Sequence, residues 1–124
     1  MDTIKSSADI SELFANGKRL KSSFLTLIVK QRPIGENQVG IEQHDPSGRV
    51  AFIAGKKQGN AVWRNAAKRR MRAVCRELGG PWDGYDVVFL AKSSIMGSSY
   101  SKVLKACDKA LTGSALSEGK LADE

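Results

Sequence analysis

The chain has 124 residues, 41% of them hydrophobic, which suits one folded domain with a modest core. Its 20 Lys and Arg exceed its 13 Asp and Glu, and the net charge of +7 favours a polyanionic partner, first nucleic acid and second an anionic membrane surface. One His, two Cys and no CxxC pair exclude the usual zinc sites, and no apolar run approaches the roughly 18 residues of a membrane-spanning helix.

The N-terminus has no basic head followed by an apolar run, so no secretory signal is predicted. We therefore expect a cytoplasmic protein. Cys75 and Cys107 both lie in stretches that predict helix, and in a reducing compartment they should stay unpaired and act as small core side chains.

Residues 9–16 predict a short helix, because apolar side chains recur on one face of it. Asp9 is suited to cap its start and Gly17 to end it. The apolar face carries Ile10, Leu13 and Phe14.

Three strands should follow this helix. Residues 23–30 are β-branched and aromatic-rich, and their nearly continuous apolar character indicates burial on both faces. Residues 38–43 alternate and predict a half-exposed strand, and the HDPSG segment at 44–48 predicts a turn. Residues 49–54 predict the third strand.

The second half of the chain predicts a long helix, a strand and a final helix. The long helix spans residues 60–78, with Asn60 as its cap and Gly79-Gly80-Pro81 as its stop. Residues 85–91 predict the fourth strand, and residues 99–111 place apolar side chains on one helical face.

These elements run in the order αβββαβα and predict a single domain over residues 1–111. From residue 112 onward the side chains are small and polar, so we expect residues 112–124 to form a flexible C-terminal tail.

The long helix has a one-sided distribution of charge. Residues 56–76 hold eight of the chain's 20 Lys and Arg and no Asp or Glu. At about 100° per residue, one arc of the helix is cationic and the opposite arc is apolar. The cationic arc holds Arg64, Asn65, Lys68, Arg69, Arg72 and Arg76, together with Ala61 and Cys75, whereas Arg70 falls outside it.

Cations at i,i+4 spacing repel, so this arc lowers helix stability unless a partner compensates. Phosphates would do so, because each contact releases counterions and arginine can bind two oxygens. Asn65 could read a base edge or a ribose. A helix face that is merely solvated normally carries both positive and negative side chains. The apolar arc is too narrow for a helix that lies on a membrane, so nucleic acid is the favoured partner. Composition does not choose between RNA and DNA.

The segment GKKQGNAVWRNAAKRRMRAVCRE, residues 55–77, resembles the signature of the bacterial ribonuclease P protein component. That signature has a Lys-Lys loop, then Gly-Asn-Ala-Val, Arg-Asn and Lys-Arg with further arginines at helical spacing. The matching positions are Gly59, Asn60, Ala61, Val62, Arg64, Asn65, Lys68, Arg69 and Arg72. The Phe-x-x-Gly-x-Arg pattern at residues 14–19 and the element order also resemble the family, and the likeness covers residues 7–111.

Two positions depart from the family pattern. Ala66 stands where the family has a third arginine, and Ile10 stands where it often has an aromatic residue. Ala66 falls away from the cationic arc, so its effect should be limited to a smaller RNA footprint.

The resemblance implies an α+β two-layer sandwich with a four-stranded sheet, in which the basic helix forms a left-handed βαβ crossover, as in a domain of a ribosomal protein. It implies the protein subunit of an endonuclease that removes the 5′ leader from precursor tRNA, with the catalytic Mg²⁺ held by the RNA subunit. The expected partners are ribonuclease P RNA and precursor tRNA. Binding to a membrane or to DNA is not expected. No cofactor or metal is expected on the protein's own side chains.

The implied RNA-binding residues lie on the basic helix and on the loop before it: Lys56, Lys57, Asn60, Arg64, Asn65, Lys68, Arg69, Arg72 and Arg76. The resemblance also implies a cleft for the leader between the sheet and the first helix. Its candidate residues are Phe14, Phe24 and either Thr26 or Leu27, with Lys56 and Lys57 at the rim, although both phenylalanines are equally suited to the core.

No catalytic residue is predicted on this chain. His44 stands alone in a predicted turn, and Asp83 and Asp86 are suited to turn formation and charge pairing. No nucleophile, base and orienting group can be assembled from the sequence.

Two other functions share the basic helix. A ribosomal or general structured-RNA binding protein would need no leader cleft. A DNA-binding regulator would need a partner helix before the basic one, but a strand and a glycine-bounded loop are predicted there.

Overall fold

The structure is a computed structural model, and it describes residues 3–31, 48–112 and 114. Four strands form one mixed sheet: β1 (Lys18–Lys21), β2 (Leu25–Gln31), β3 (Arg49–Ile53) and β4 (Tyr85–Ala91). Three helices accompany them: α1 (Ser7–Asn16), α2 (Ala61–Glu77) and α3 (Tyr100–Leu111). The strand order across the sheet is β1-β2-β4-β3, with β3 parallel to β4 and the other pairs antiparallel.

The chain order of these elements is αβββαβα, as predicted, but the three strands before α2 are not the predicted three. Strand β1, a four-residue edge strand, was not predicted from the sequence. The strand predicted at 38–43 lies outside the described residues, as do His44 and most of the turn at 44–48. The tail predicted at 112–124 also lies outside them, except for Thr112 and Ser114, whose amides donate to carbonyls of α3.

Helix α1 begins earlier than predicted, and Asp9 does not cap it. The cap is Ser6, whose Oγ accepts from the backbone N–H of Asp9 at 3.4 Å. Gly17 ends the helix as predicted, and its N–H donates to the carbonyl of Leu13 at 2.7 Å. The Asp9 carboxylate is thereby left to pair with a cation on the sheet.

Residues that pair across neighbouring strands point to the same side of the sheet. Each side therefore carries rows of side chains that run across the strands. One side, the α2 face, carries the row Leu20, Leu27, Phe89 and Phe52, and is covered by α2 and α3. The other side, the α1 face, carries the rows Arg19, Ile28, Val88, Ala51 and Lys21, Thr26, Leu90, Ile53. Ile28, Val88 and Ala51 pack against Leu13 and Ile4.

The two central strands are buried on both faces, which confirms the interpretation of residues 23–30. Leu27 and Ile28 are adjacent in β2, point to opposite faces, and are both fully buried. Val87 and Val88 do the same in β4. A continuous apolar run is therefore needed here in place of strict alternation.

Helix α2 spans the connection between the parallel strands β3 and β4. Asn60 caps it as predicted, since its Oδ1 accepts from the N–H of Trp63 at 2.9 Å. The stop is also as predicted: Gly79 has φ +95°, and the N–H of Gly80 donates to the carbonyl of Cys75 at 2.8 Å. Ala67, Met71 and Val74 are fully buried on the sheet, in agreement with the predicted apolar arc.

Cys75 corrects the predicted cationic arc. The helical wheel places it between Arg64 and Lys68, yet its side chain is fully buried in the core. The buried part of α2 extends further around the helix, on the side of Cys75, than the apolar pattern predicts. Arg64 and Lys68 lie at the edge of this buried part and are half-buried.

Ion pairs fix α1 to the sheet. The guanidinium of Arg49 binds both carboxylate oxygens of Asp86, at 3.0 and 2.7 Å, and reaches Asp9 of α1 at 3.3 Å. Asp86 raises the pKa of Arg49 above its ordinary value. Lys30 binds Glu12 of α1 at 3.0 Å and lowers the pKa of that carboxyl. Asp86 is therefore a charge partner, as predicted.

None of the helices in the described part of the chain is both long enough and apolar enough to cross a membrane.

We predict that Arg49→Met lowers the free energy of unfolding by about 2 kcal/mol, because the largely buried Asp86 carboxylate loses its bidentate cation. Lys30→Met removes a more exposed pair and should cost less than about 1 kcal/mol. Urea denaturation of both variants measures the difference. Equal, small losses would contradict the anchoring role of Arg49.

Burial raises the pKa of the Cys75 thiol to about 11 and that of Cys107 to about 12. We predict that a thiol reagent labels neither cysteine in the native protein at pH 8 and labels both after unfolding. The thiols ionise at lower pH in the unfolded chain than in the native protein, because burial raises the native pKa. The contribution of the two buried thiols to the free energy of unfolding is therefore complete below about pH 9, and it declines as the pH rises towards 12. Rapid labelling of the native protein would show that the cysteines are accessible.

Candidate nucleic-acid interface

The exposed side of α2 and the loop before it form one cationic area, here called the basic surface. It consists of Lys56, Lys57, Asn65, Arg69, Arg72 and Arg76, all exposed. Lys56 and Lys57 lie in a 3₁₀ turn, Lys56–Gln58, between the end of β3 and the start of α2. Arg69, Arg72 and Arg76 follow at three- and four-residue spacing, which puts them along one ridge of the helix.

The remaining predicted RNA-binding residues lie at the margin of this surface. Arg64 and Lys68 are half-buried beside the core, so their aliphatic stems pack while their charged ends can reach solvent. Asn60 is exposed, and its Oδ1 accepts the helix-cap bond from Trp63.

One arginine of the basic surface is held in position by an aromatic ring. The guanidinium carbon of Arg72 lies 5.5 Å from the ring centre of Phe52 on the edge strand β3. Phe52 in turn contacts the fully buried Phe89, with 5.2 Å between ring centres. This cation–π contact restricts the Arg72 side chain, so less conformational entropy is lost when it binds a phosphate.

Arg70 lies outside the basic surface, as predicted, and has a structural role. Its Nη1 donates to the carbonyls of Ile95 and Ser98, at 3.0 and 2.6 Å. These carbonyls belong to the segment that leads from β4 into α3. The guanidinium thus joins α2 to that segment.

The basic surface has little negative charge near it on α2. The helix has no acid in its first turn, and its one acid, Glu77, accepts a hydrogen bond at 3.1 Å from the hydroxyl of Tyr100 on α3. Partial burial, together with this bond, raises the pKa of Tyr100. At the other end of α2, the positive end of the helix dipole lies next to Lys56 and Lys57. The dipole and the two lysines both add positive potential at the N-terminus of the helix.

Gly59 is required by packing in the loop before α2, independently of RNA. A Cβ at this position would lie 2.8 Å from ring atoms of Trp63, which packs against the core. The loop therefore approaches α2 too closely for any side chain. Trp63 is a core residue, as is Trp82, whose ring stacks 6.3 Å from Phe89.

The α1 face contains only part of the predicted leader cleft. Phe14 packs at the edge of the apolar cluster beneath α1, and Thr26 points to the same face from β2. Leu27 is fully buried on the α2 face, so of the two alternatives only Thr26 points towards α1. Phe24 is half-buried and also packs against the core of the α2 face, on the side of the sheet opposite to α1.

Strand β1 adds two cations to the α1 face that the sequence analysis did not assign. Arg19 and Lys21 alternate with Lys18 and Leu20, and they pair with Ile28 and Thr26 of β2. The only signal was the alternation within KRLK, which is too short to predict a strand. Lys56 and Lys57 follow the end of β3 and therefore stand at the end of the sheet that carries Thr26 and Ile53.

Among residues 3–31, 48–112 and 114, no group of three His, Cys, Asp or Glu side chains is arranged to hold a metal ion. The groups that converge on the basic surface are guanidinium, ammonium and amide groups. These groups bind phosphate oxygens and bases.

Comparison with curated proteins gives a consistent family. The family model described as Ribonuclease P matches residues 1–114. The ribonuclease P protein component of Syntrophomonas wolfei is 33% identical over 103 residues, which span 82% of this chain and 77% of that protein. That of Streptococcus mutans is 29% identical over 102 residues, 82% and 76% of the two chains.

Solved structures show the same fold at low sequence identity. The Staphylococcus aureus RNase P protein superposes with a TM-score of 0.73 at 18% identity, over 94% of this chain and 97% of that one. The RNase P protein from Thermotoga maritima gives a TM-score of 0.69 at 20% identity, over 90% and 96%. By sequence match and by fold, this chain belongs to the bacterial ribonuclease P protein family.

Proposed function

We propose that this chain is the RNA-binding, non-catalytic protein subunit of ribonuclease P. In this proposal the basic surface binds the ribonuclease P RNA, and the α1 face binds the single-stranded 5′ leader of precursor tRNA. The observation that carries it is the one-sided charge of α2, with exposed arginines outward and a fully buried apolar stripe inward.

Phosphate binding accounts for the repulsion within α2. Arg69 and Arg72 are three residues apart, and such like charges destabilise an isolated helix. A folded RNA offers closely spaced phosphates whose condensed counterions are released on contact, and this favours binding in proportion to the number of contacts. Arginine can also bind two phosphate oxygens at once.

The side chains of the basic surface support a binding role more than a chemical one. These guanidinium, ammonium and amide groups are hydrogen-bond donors for phosphates and bases, whereas proton transfer in catalysis is most often made by His, Asp or Glu. We therefore assign the cleavage step, with its Mg²⁺ ions, to the RNA subunit. The protein's contribution is to hold the two RNAs in register.

The α1 face supports binding of a single strand. Phe14 is half-buried beside α1, and Lys21 and Lys56 offer charge near the same end of the sheet. Thr26 points to the same face but is itself buried, with 7% of its surface exposed. Aromatic stacking with nearby cations binds single-stranded nucleic acid with little base preference. That property suits a leader whose sequence differs between precursor tRNAs.

The direct test is cleavage of a precursor tRNA by the matching ribonuclease P RNA at low Mg²⁺, with and without this protein. We expect the protein to restore cutting at the mature 5′ end and to lower KM more for a long leader than for a leader of one nucleotide. Unchanged cleavage despite RNA binding would replace the proposal with a general structured-RNA binding protein. Preference for duplex DNA at matched salt would contradict both.

We predict that Arg69→Ala and Arg72→Ala each weaken binding to ribonuclease P RNA. Each loss of a phosphate contact should also reduce the slope of log K against log salt by about 0.7 to 0.9. Filter binding at salt concentrations between about 50 and 300 mM gives both the affinity and the slope.

Lys102→Ala is the matched control, because it removes one exposed charge from α3, away from the basic surface. Its slope should equal that of the natural protein. Equal slopes for all three variants would place the RNA contacts elsewhere.

A further inference from the structure

Arg19 makes two contacts with one residue of α1. Its Nη2 donates to the backbone carbonyl of Phe14 at 3.2 Å, and its guanidinium carbon lies 5.7 Å from the centre of the Phe14 ring. The two residues are five apart in sequence, but they belong to different elements, α1 and β1. Arg19 therefore contacts both the end of the helix and the aromatic side chain that projects from it.

We propose that Arg19 is a positioning residue for leader binding, which sets the orientation of the Phe14 ring on the α1 face. This inference rests on the proposed function of that face. Arg19 acts through Phe14 and does not have to touch the RNA itself.

The end of α1 needs this contact. The last turn of α1 contains no basic residue, and the final carbonyls of a helix lack partners within it. Gly17 supplies a bond to the carbonyl of Leu13, and Arg19 supplies a charged donor for that of Phe14. A cation at this end also interacts favourably with the helix dipole.

The path between the two residues is short and closely packed. A Cβ on Gly17 would lie 2.6 Å from Cγ2 of Ile28 and 2.6 Å from the Leu13 carbonyl, so the chain turns directly on the sheet. Arg19 then faces Ile28 in the β1–β2 pairing, on the same face as α1. The pairing of β1 with β2 thus fixes the backbone of Arg19 on the same face as Phe14, and the exposed side chain reaches Phe14 from there.

The chemistry of the contact requires arginine. A planar guanidinium can lie over a ring while one N–H is directed at a carbonyl, whereas an ammonium group is compact and strongly hydrated. The Phe14 ring is only partly buried, so packing against the apolar cluster restrains it less than full burial would. Loss of the guanidinium should therefore loosen the ring without disturbing the core beneath α1.

The test compares Arg19→Ala, Arg19→Lys and the control Lys18→Ala in the assembled holoenzyme. Lys18 is exposed and adjacent, carries the same charge and points to the opposite face of the sheet. For each, affinity is measured for precursor tRNA with a long leader and with a leader of one nucleotide, together with affinity for ribonuclease P RNA and the unfolding midpoint.

We expect both Arg19 variants to weaken binding of the long-leader substrate by roughly three- to tenfold. The short-leader substrate and ribonuclease P RNA should bind as before, and Lys18→Ala should change none of these affinities. Retention of the effect in Arg19→Lys separates ring positioning from net charge. In a Phe14→Leu background, Arg19→Ala should cause no further loss, because the ring through which it acts is gone.

Three results would overturn the inference. Normal binding by Arg19→Lys would assign the effect to charge alone, and an additive loss in the Phe14→Leu background would show that Arg19 does not act through the ring. Equal loss for long and short leaders would indicate a structural defect. If the natural holoenzyme itself shows no leader dependence, it is the proposed leader-binding function that fails.

Discussion

Helix α2 has to satisfy two opposed demands, and the rest of the molecule depends on how it does so. Its inner stripe must bury apolar side chains on the sheet, and its outer side carries cations that repel one another. The helix tolerates this because Ala67, Met71 and Val74 are fully buried and both ends are well capped. Stability is supplied by the core and the caps, which leaves the outer side available for binding.

The sheet then separates the two surfaces for which we propose different RNA partners. Thr26 and Leu27 are neighbours in β2, yet one points to the α1 face and the other lies in the core under α2 and α3. Ion pairs of Arg49 and Lys30 hold α1 over one end of its face, while the row that contains Thr26 lies at the other end. A duplex-like or folded RNA on α2 and a single strand on the α1 face would therefore approach from opposite sides of the sheet.

Local patterns predicted the elements that carry strong periodicity or clear capping signals. The period of α2, its Asn60 cap and its glycine stop all appear in the structure where the sequence placed them. Burial at the margin of α2 was not predictable, because a helical wheel shows the direction of Cys75 but not how far its neighbours reach around the helix. The choice between Thr26 and Leu27 was equally hidden, since LTLIV is apolar on both faces and has no alternation to give the register.

The edge strand β1 escaped prediction for a related reason. Three of its four residues are charged, and only the pairing with β2 makes it a strand. The contact between Arg19 and Phe14, which joins β1 to α1, was therefore not predictable from the sequence. Family resemblance implied the general location of the proposed leader site, and the register of the sheet shows which residues lie on that face.

The most direct measurement of the central claim is a charge reversal, Arg69→Glu, with stability and RNA affinity measured on the same sample. The new carboxylate would face Arg72 at i,i+3 spacing on α2. We therefore predict that the free energy of unfolding is unchanged or rises by about 0.3 kcal/mol. Binding to ribonuclease P RNA should become at least roughly tenfold weaker. Lys102→Glu, which faces Lys105 at the same spacing on α3, should leave RNA binding unchanged. A destabilised Arg69→Glu protein with normal RNA affinity would contradict the claim that the outer charges of α2 exist for binding.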